Sequence, residues 1–155
     1  MTFSGAVHSI HLAPVASEPT ISVEQAHAVP GKGLEGDRYY NPEGGAAEDH
    51  DPGRELTLIE IETIEALQRE VKLEIRPGDA RRQIVTRGVP LNHLVGQEFT
   101  VGKVAVRGIR LNEPCAHLAS LTDKKILPAL VHRGGLRAQI LTEGVIRPGD
   151  EIRPR

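Results

Sequence analysis

One cysteine, no tryptophan, two phenylalanines and two tyrosines are all that this 155-residue chain holds of those types. Each shortage removes a class of explanation. A lone cysteine rules out an internal disulfide and suits a reducing compartment. A structural zinc site needs about four ligands, typically paired cysteines; one cysteine and seven scattered histidines do not make that pattern. With aromatics at 3%, a surface that stacks nucleic-acid bases has little to work with. No segment approaches the roughly 20 apolar residues of a membrane span. The N-terminus has no basic stretch followed by an apolar run, so no secretory signal is expected. Charge of one sign is also missing: 19 basic and 21 acidic side chains leave a net −2, with no bulk pull toward nucleic acid or an anionic membrane. The expected setting is the cytoplasm, with neither nucleic acid nor membrane as partner.

What the chain does have is apolar residues at 39%, enough for a core, and many turn formers, with 16 glycines and 11 prolines. Short alternating runs predict strands at Phe3–His11, Ile21–Ala28, Glu55–Ile59, Arg82–Thr86, Glu98–Val101, Val104–Ile109 and Leu136–Leu141, with a last one after Asp150. Ile61, Ile64, Leu67 and Val71 recur at helical spacing and predict an amphipathic helix over Glu60–Val71. Pro90–Val95 reads as a helical turn, and Thr122 as the cap of a helix carrying Ile126, Leu127, Leu130 and Val131. The polar segment Leu34–Gly53 reads as a long loop, with little order expected at Asn41–Pro52. Two Arg-Pro-Gly-Asp turns, at 76–79 and 147–150, are the only internal echo, too short for a repeat. Regular β-α-β alternation is missing. The pattern predicts one mainly β (α+β) domain over 1–155, barrel-like and mostly antiparallel, with a few short helices.

The segment Leu111-Asn112-Glu113-Pro114-Cys115-Ala116-His117-Leu118 carries the clearest chemistry. With Pro114 at the first helical position, Cys115 is expected in the first turn, where free N–H groups and the helix dipole favour thiolate. The alternative is a small buried hydrophobe. His117 lies two residues on, a spacing that points it elsewhere on a helix. No third group orients a base, so a cysteine hydrolase is not supported. Arg81, Arg82, Arg87, Arg133 and Arg137 suit anion recognition through their guanidinium forks, or serve as ordinary surface ion pairs. Gly134 and Gly135 beside Arg133 open backbone N–H groups to an anion. Lys32–Arg38 looks superficially like a phosphate loop but lacks its full order. Asn92 either stabilises a turn or holds the edge of a cofactor.

Taken together, these pieces resemble the MOSC domain, the module at the C-terminus of molybdenum cofactor sulfurases. The matching stretches are Gly33-Leu34-Glu35-Gly36-Asp37-Arg38, Arg82 to Asn92, Leu94-Val95-Gly96-Gln97-Glu98-Phe99 and Glu113-Pro114-Cys115. His132-Arg133-Gly134-Gly135-Leu136-Arg137-Ala138 and Ile146-Arg147-Pro148-Gly149-Asp150 complete them, in order along nearly the whole chain. The resemblance implies a MOSC-type β-barrel and a functional Cys115 that carries sulfur as a persulfide or ligates the molybdenum of a bound molybdenum cofactor. It implies that Arg82, Asn92, His132, Arg133 and Arg137 hold the phosphate and pterin of that cofactor, with Asp37 and Arg38 in the same cleft. No pyridoxal-phosphate desulfurase portion and no extra N-terminal barrel are evident, so pyridoxal phosphate is not expected here. Sulfur or electrons are then expected from a partner, a cysteine desulfurase or other sulfur donor, or a molybdoenzyme or redox protein. The rival readings are a molybdenum-dependent reductase of N-hydroxylated compounds and a non-enzymatic cofactor-delivery or partner-binding module with an inert cysteine.

Overall fold

The computed structural model describes residues 1–46 and 49–155. Its strands are, in chain order, β1 (Gly5–Leu12), β2 (Ile21–Val23), β3 (Ala26–Val29), β4 (Gly33–Leu34), β5 (Leu56–Glu60) and β6 (Ile84–Arg87). After them come β7 (Glu98–Val101), β8 (Val104–Leu111), β9 (Leu136–Ile140), β10 (Gly144–Ile146) and β11 (Glu151–Pro154). The α-helices are α1 (Ile61–Val71), α2 (Ala116–Leu121) and α3 (Ile126–Ala129). Seven strands close a barrel in the order β1-β6-β5-β9-β8-β7-β11, and β11 returns to β1 through Gly5–Ile152 and Ala6–Glu151. All these pairings are antiparallel except β5 with β6, which α1 connects. β3, β4 and β10 form a small second sheet. No helix among the described residues is long and apolar enough to cross a membrane.

The period-two alternation read from the sequence divides the strand residues between two cores. Leu56 and Leu58 of β5, Ile84 of β6 and Leu136 and Ala138 of β9 point into the barrel with Phe99, Val106 and Ile152. Ile59 and Val85 point outward into a second cluster with Ile64 and Leu67 of α1, Leu118 of α2 and Ile126 and Leu130. That second core, built against the outside of the barrel, seats α2 and so the segment that bears Cys115.

Three boundaries differ from the sequence expectation, each for a local reason. The run Ile21–Ala28 splits: β2 pairs with β1 at the barrel, while β3 pairs with β4 and β10. The strand expected from Arg82 begins at Ile84, because the Arg82 and Gln83 side chains turn to bond other segments. Thr122 closes α2 instead of opening the next helix; its hydroxyl donates to the Leu118 carbonyl at 2.8 Å.

At several points of the polar segment 34–53, side chains bond the backbone. Asp37 accepts from the Ala13 and Tyr39 N–H groups at 2.9 and 3.0 Å. Asn41 donates to the Gly44 carbonyl at 3.0 Å, and Asp51 caps a short 3₁₀ turn at Pro52–Arg54. Residues 47 and 48 of that stretch lie outside the described residues. The two Arg-Pro-Gly-Asp turns fold alike: in each, the aspartate side chain accepts the arginine N–H at 2.9 Å.

Candidate functional site

Cys115 follows β8 and is exposed. Pro114 does not open the helix as expected. Cys115 itself is the N-cap, extended at φ −134° and ψ 167°, and its carbonyl accepts the Ala119 N–H at 3.1 Å. Pro114 thus lies one residue outside the helix. The thiol stands on the wall of a cavity of about 160 Å³ that runs along the outer face of the barrel. Arg38, Tyr39, Thr57, Arg81, Arg82, Asn112, Glu113, His117 and Arg137 share that wall, closed on one side by Leu118 and Leu121 of α2.

Strand register explains the composition of the wall. Thr57 on β5 pairs with Arg137 on β9, and both alternate with residues of the barrel core, so both face outward. Across the other edge of β9, a bulge after Gly108 brings Arg110 opposite Arg137. Arg110 is neutralised by Asp51, whose carboxylate takes two guanidinium hydrogen bonds at 3.1 and 2.5 Å. Arg110 holds the Asp51 carboxyl down at a pKa of about 2. Arg137 has no carboxylate partner among the described residues. Its own pKa is lowered, first by burial and then by Arg110.

Arg82 is only 7% exposed and also lacks a carboxylate partner among the described residues. Its guanidinium donates to three backbone carbonyls: Gly134 at 2.8 Å, Asn112 at 2.9 Å and Ala80 at 3.3 Å. One side chain therefore ties the segment entering Cys115 to the loop entering β9. Burial, then the neighbouring Arg137 charge, pushes its pKa down to about 10, with Cys115 and Tyr39 opposing the drop. Arg81 adds a third guanidinium, one of whose nitrogens is buried without a partner among the described residues. Arg38 adds the fourth, stacked 4.5 Å from the Tyr39 ring centre and donating to its hydroxyl at 2.9 Å. Against these stands one carboxylate on the wall, Glu113, and it already accepts the His132 N–H at 2.7 Å and faces the His132 ring at 3.1 Å. The cavity is a positively charged pocket around a thiol.

The structure therefore brings Cys115, Arg82, Arg137 and Arg38 together, while four other candidates lie off this wall. Asp37 is buried and serves the turn before Tyr40. Asn92 donates to the His132 carbonyl at 2.6 Å, and His132 is held by Glu113. Arg133 turns away to the Ala129 carbonyl and to Glu70 at 2.7 Å. Gly134 and Gly135 permit close packing. A Cβ on Gly134 would lie 2.4 Å from the Asn112 carbonyl, and one on Gly135 2.0 Å from that of Leu58. Gly33 likewise pairs in β4 and does not wrap a phosphate. Arg87 bonds Glu65 at the surface. Tyr39, Thr57 and His117 join the wall without a sequence pattern that marks them as site residues; for Tyr39 the available signal is its adjacency to Arg38.

The MOSC domain family model matches residues 15–153. The chain belongs to this family. Solved structures agree on the fold of this MOSC domain. The YuaD protein from Bacillus subtilis superposes with a TM-score of 0.82 at 15% identity, covering 99% of this chain and 96% of that one. YiiM from Geobacillus stearothermophilus gives 0.70 at 14%, with 97% and 75% covered. YiiM from Escherichia coli gives 0.66 at 16%, with 100% and 70% covered. A search of curated protein sequences returned no match.

Whether the residues of this MOSC domain suit a molybdenum cofactor is a matter of donors and room. No three His, Cys, Asp or Glu side chains converge to hold a bare metal ion among the described residues. A metal here would bring ligands of its own, to which Cys115 adds one soft thiolate. Guanidinium groups suit the phosphate of such a cofactor. The 160 Å³ beside Cys115 is small, but Arg38 and Tyr39 also line a second cavity of about 270 Å³, whose wall carries Lys32 and Arg54 together with the carboxylates Asp49, Asp51 and Glu55. The donor set fits, with the room divided between two adjoining spaces.

Proposed function

We propose that this MOSC domain is a cytoplasmic sulfur carrier in which Cys115 holds sulfur as a persulfide. The observation that carries the reading is an exposed thiol on the wall of a pocket formed by Arg38, Arg81, Arg82 and Arg137. In the transfer, the Cys115 thiolate attacks the outer sulfur of a donor persulfide. A new S–S bond forms, the donor's S–S bond breaks, and the donor leaves as thiolate with the electron pair. No external oxidant is needed. The product hydrodisulfide is an anion near neutral pH, and the surrounding guanidinium groups stabilise it.

The test is to incubate the protein with a cysteine desulfurase and free cysteine, alkylate, and map the adduct by mass spectrometry. One added sulfur on Cys115, absent from Cys115→Ser, is the expected result. Sulfur elsewhere, or on neither protein, overturns the reading.

A second reading, molybdenum-cofactor binding, is favoured by the room of the adjoining 270 Å³ cavity, whose lining balances Lys32, Arg38 and Arg54 against Asp49, Asp51 and Glu55. When bound, that cofactor supplies two-electron redox chemistry, the basis for reduction of N-hydroxylated compounds. The chain's own part would be to offer the Cys115 thiolate as a ligand and to hold the phosphate with Arg38, Arg81 and Arg137. A molybdoenzyme or redox partner belongs to this second reading.

A further inference from the structure

The space beside Cys115 is sized for something small. About 160 Å³ lies below the roughly 300 Å³ at which pockets for drug-sized ligands begin. Its wall sets four guanidinium groups against one carboxylate, Glu113, and that carboxylate is spent on the His132 loop. Arg82 is anchored by carbonyls alone and is buried with no carboxylate beside it among the described residues. Arg137 is half-buried with no carboxylate partner among them either. Clustered cations of this kind are stabilised by an anion in their midst, and forked donors suit the oxygens of a small oxyanion. The thiol stands on the same wall.

We propose that this pocket takes a small sulfur-bearing oxyanion of the thiosulfate class and that Cys115 removes its outer sulfur. This rests on the persulfide-carrier reading and names its substrate. The Cys115 thiolate attacks the outer sulfur of thiosulfate, forming a Cys115 S–S bond. The bond between the two sulfurs of thiosulfate breaks, and sulfite departs with the electron pair. Cys115 is left as a persulfide anion, and atoms, charge and electrons balance without a further reagent. Arg137 and Arg38 hold the sulfonate oxygens and stabilise the charge that develops on departing sulfite.

The experiment compares two sulfur sources on the purified protein, thiosulfate and inorganic polysulfide, reading the mass of Cys115 and, with thiosulfate, the sulfite released. With thiosulfate, one sulfur on Cys115 and one equivalent of sulfite are expected, with inert sulfate slowing the reaction competitively. The rate falls about tenfold or more in Arg137→Ala, as expected for loss of a charge-assisted contact, and less in Arg137→Lys. Thermal melting checks that each variant is folded, and Arg38→Ala replaces Arg137→Ala should that protein not fold. Charging of Cys115 by polysulfide but not by thiosulfate overturns this inference and leaves the carrier reading standing. Charging by neither overturns this inference, and the desulfurase experiment then decides the carrier reading by itself. A thiosulfate rate unchanged in Arg137→Ala and Arg38→Ala refutes the role of the pocket.

Discussion

Replacing Arg82 by lysine should destabilise the protein more than replacing it by methionine. The guanidinium makes two short bonds, to Gly134 and Asn112, and one longer bond to Ala80 at 3.3 Å. Taking about 2 kcal/mol for each short charge-assisted bond and less for the long one, truncation forfeits about 4–5 kcal/mol. Part of this is returned. Burial holds the Arg82 cation well below the ordinary guanidinium range, at a pKa of about 10, and removing the charge relieves a penalty of about 3 kcal/mol. Arg82→Met should therefore cost about 1–2 kcal/mol. Arg82→Lys keeps the buried charge but reaches fewer carbonyls with a single ammonium, and should cost about 3–4 kcal/mol at pH 7. Burial in this site would lower the pKa of a lysine below its unfolded value of about 10.4. Between the folded and unfolded values the unfolded chain binds the extra proton, so the variant should gain stability as pH rises through that window. Urea unfolding of the three proteins at pH 7 and pH 10 measures both effects. A lysine variant more stable than the methionine variant at pH 7, or one indifferent to the pH change, would refute the bridging role assigned to Arg82.

Glu55 is 1% exposed and accepts from the Gly31 and Ile140 N–H groups, both at 3.1 Å, while His50 lies 2.8 Å from its other oxygen. Glu55→Ala strands those donors and should cost about 3 kcal/mol in urea unfolding, and Glu55→Gln, which keeps an acceptor, distinctly less. The Asp51 carboxyl, held near 2 by Arg110, contributes stability that is complete above its unfolded pKa of about 3.9 and is lost as pH falls through about 2. Because the pair is partly exposed, the effect should be about 1 kcal/mol, and Arg110→Met should remove that acid-dependent component from thermal melts between pH 5 and pH 2. Gly134→Ala places a methyl 2.4 Å from the Asn112 carbonyl. It should cost about 2–3 kcal/mol and alter the alkylation rate of Cys115 by iodoacetamide, an effect absent if the two segments are not in register.

Much of the barrel was legible because strand alternation survives in the sequence. The inward turn of Leu56 and Leu58 and the outward turn of Thr57 and Ile59 follow from period-two spacing alone. The cysteine was legible because it is the lone thiol of the chain, and the arginines were legible only as candidate anion binders or surface ion pairs. Their sorting was not. Arg133 and Arg137 sit four positions apart, yet one bonds Glu70 while the other faces the thiol, a difference set by where β9 begins. The paired glycines before β9 read equally well as an anion loop or as a site of close packing. The packing role shows only through the approach of Asn112 and Leu58, distant in sequence. The helix start moved past Cys115 because its backbone is extended, which a proline one position earlier does not dictate. The bonding around Asp37 and Asn41 was hidden because side chains that merely look polar in sequence act there as backbone acceptors and donors.

The most direct measurement is the mass of Cys115 after charging with a desulfurase and cysteine, with molybdenum content determined in parallel after anaerobic exposure to free molybdenum cofactor and desalting. Wild type, Cys115→Ala and Arg137→Ala are compared. The account predicts one sulfur on Cys115 of the wild type, none on Cys115→Ala, and impaired charging in Arg137→Ala; any retained molybdenum should likewise depend on Cys115. A wild type that takes up neither sulfur nor metal, or a Cys115→Ala variant that takes up either as well as the wild type does, would contradict the claim that this thiol and its arginine pocket are the functional centre.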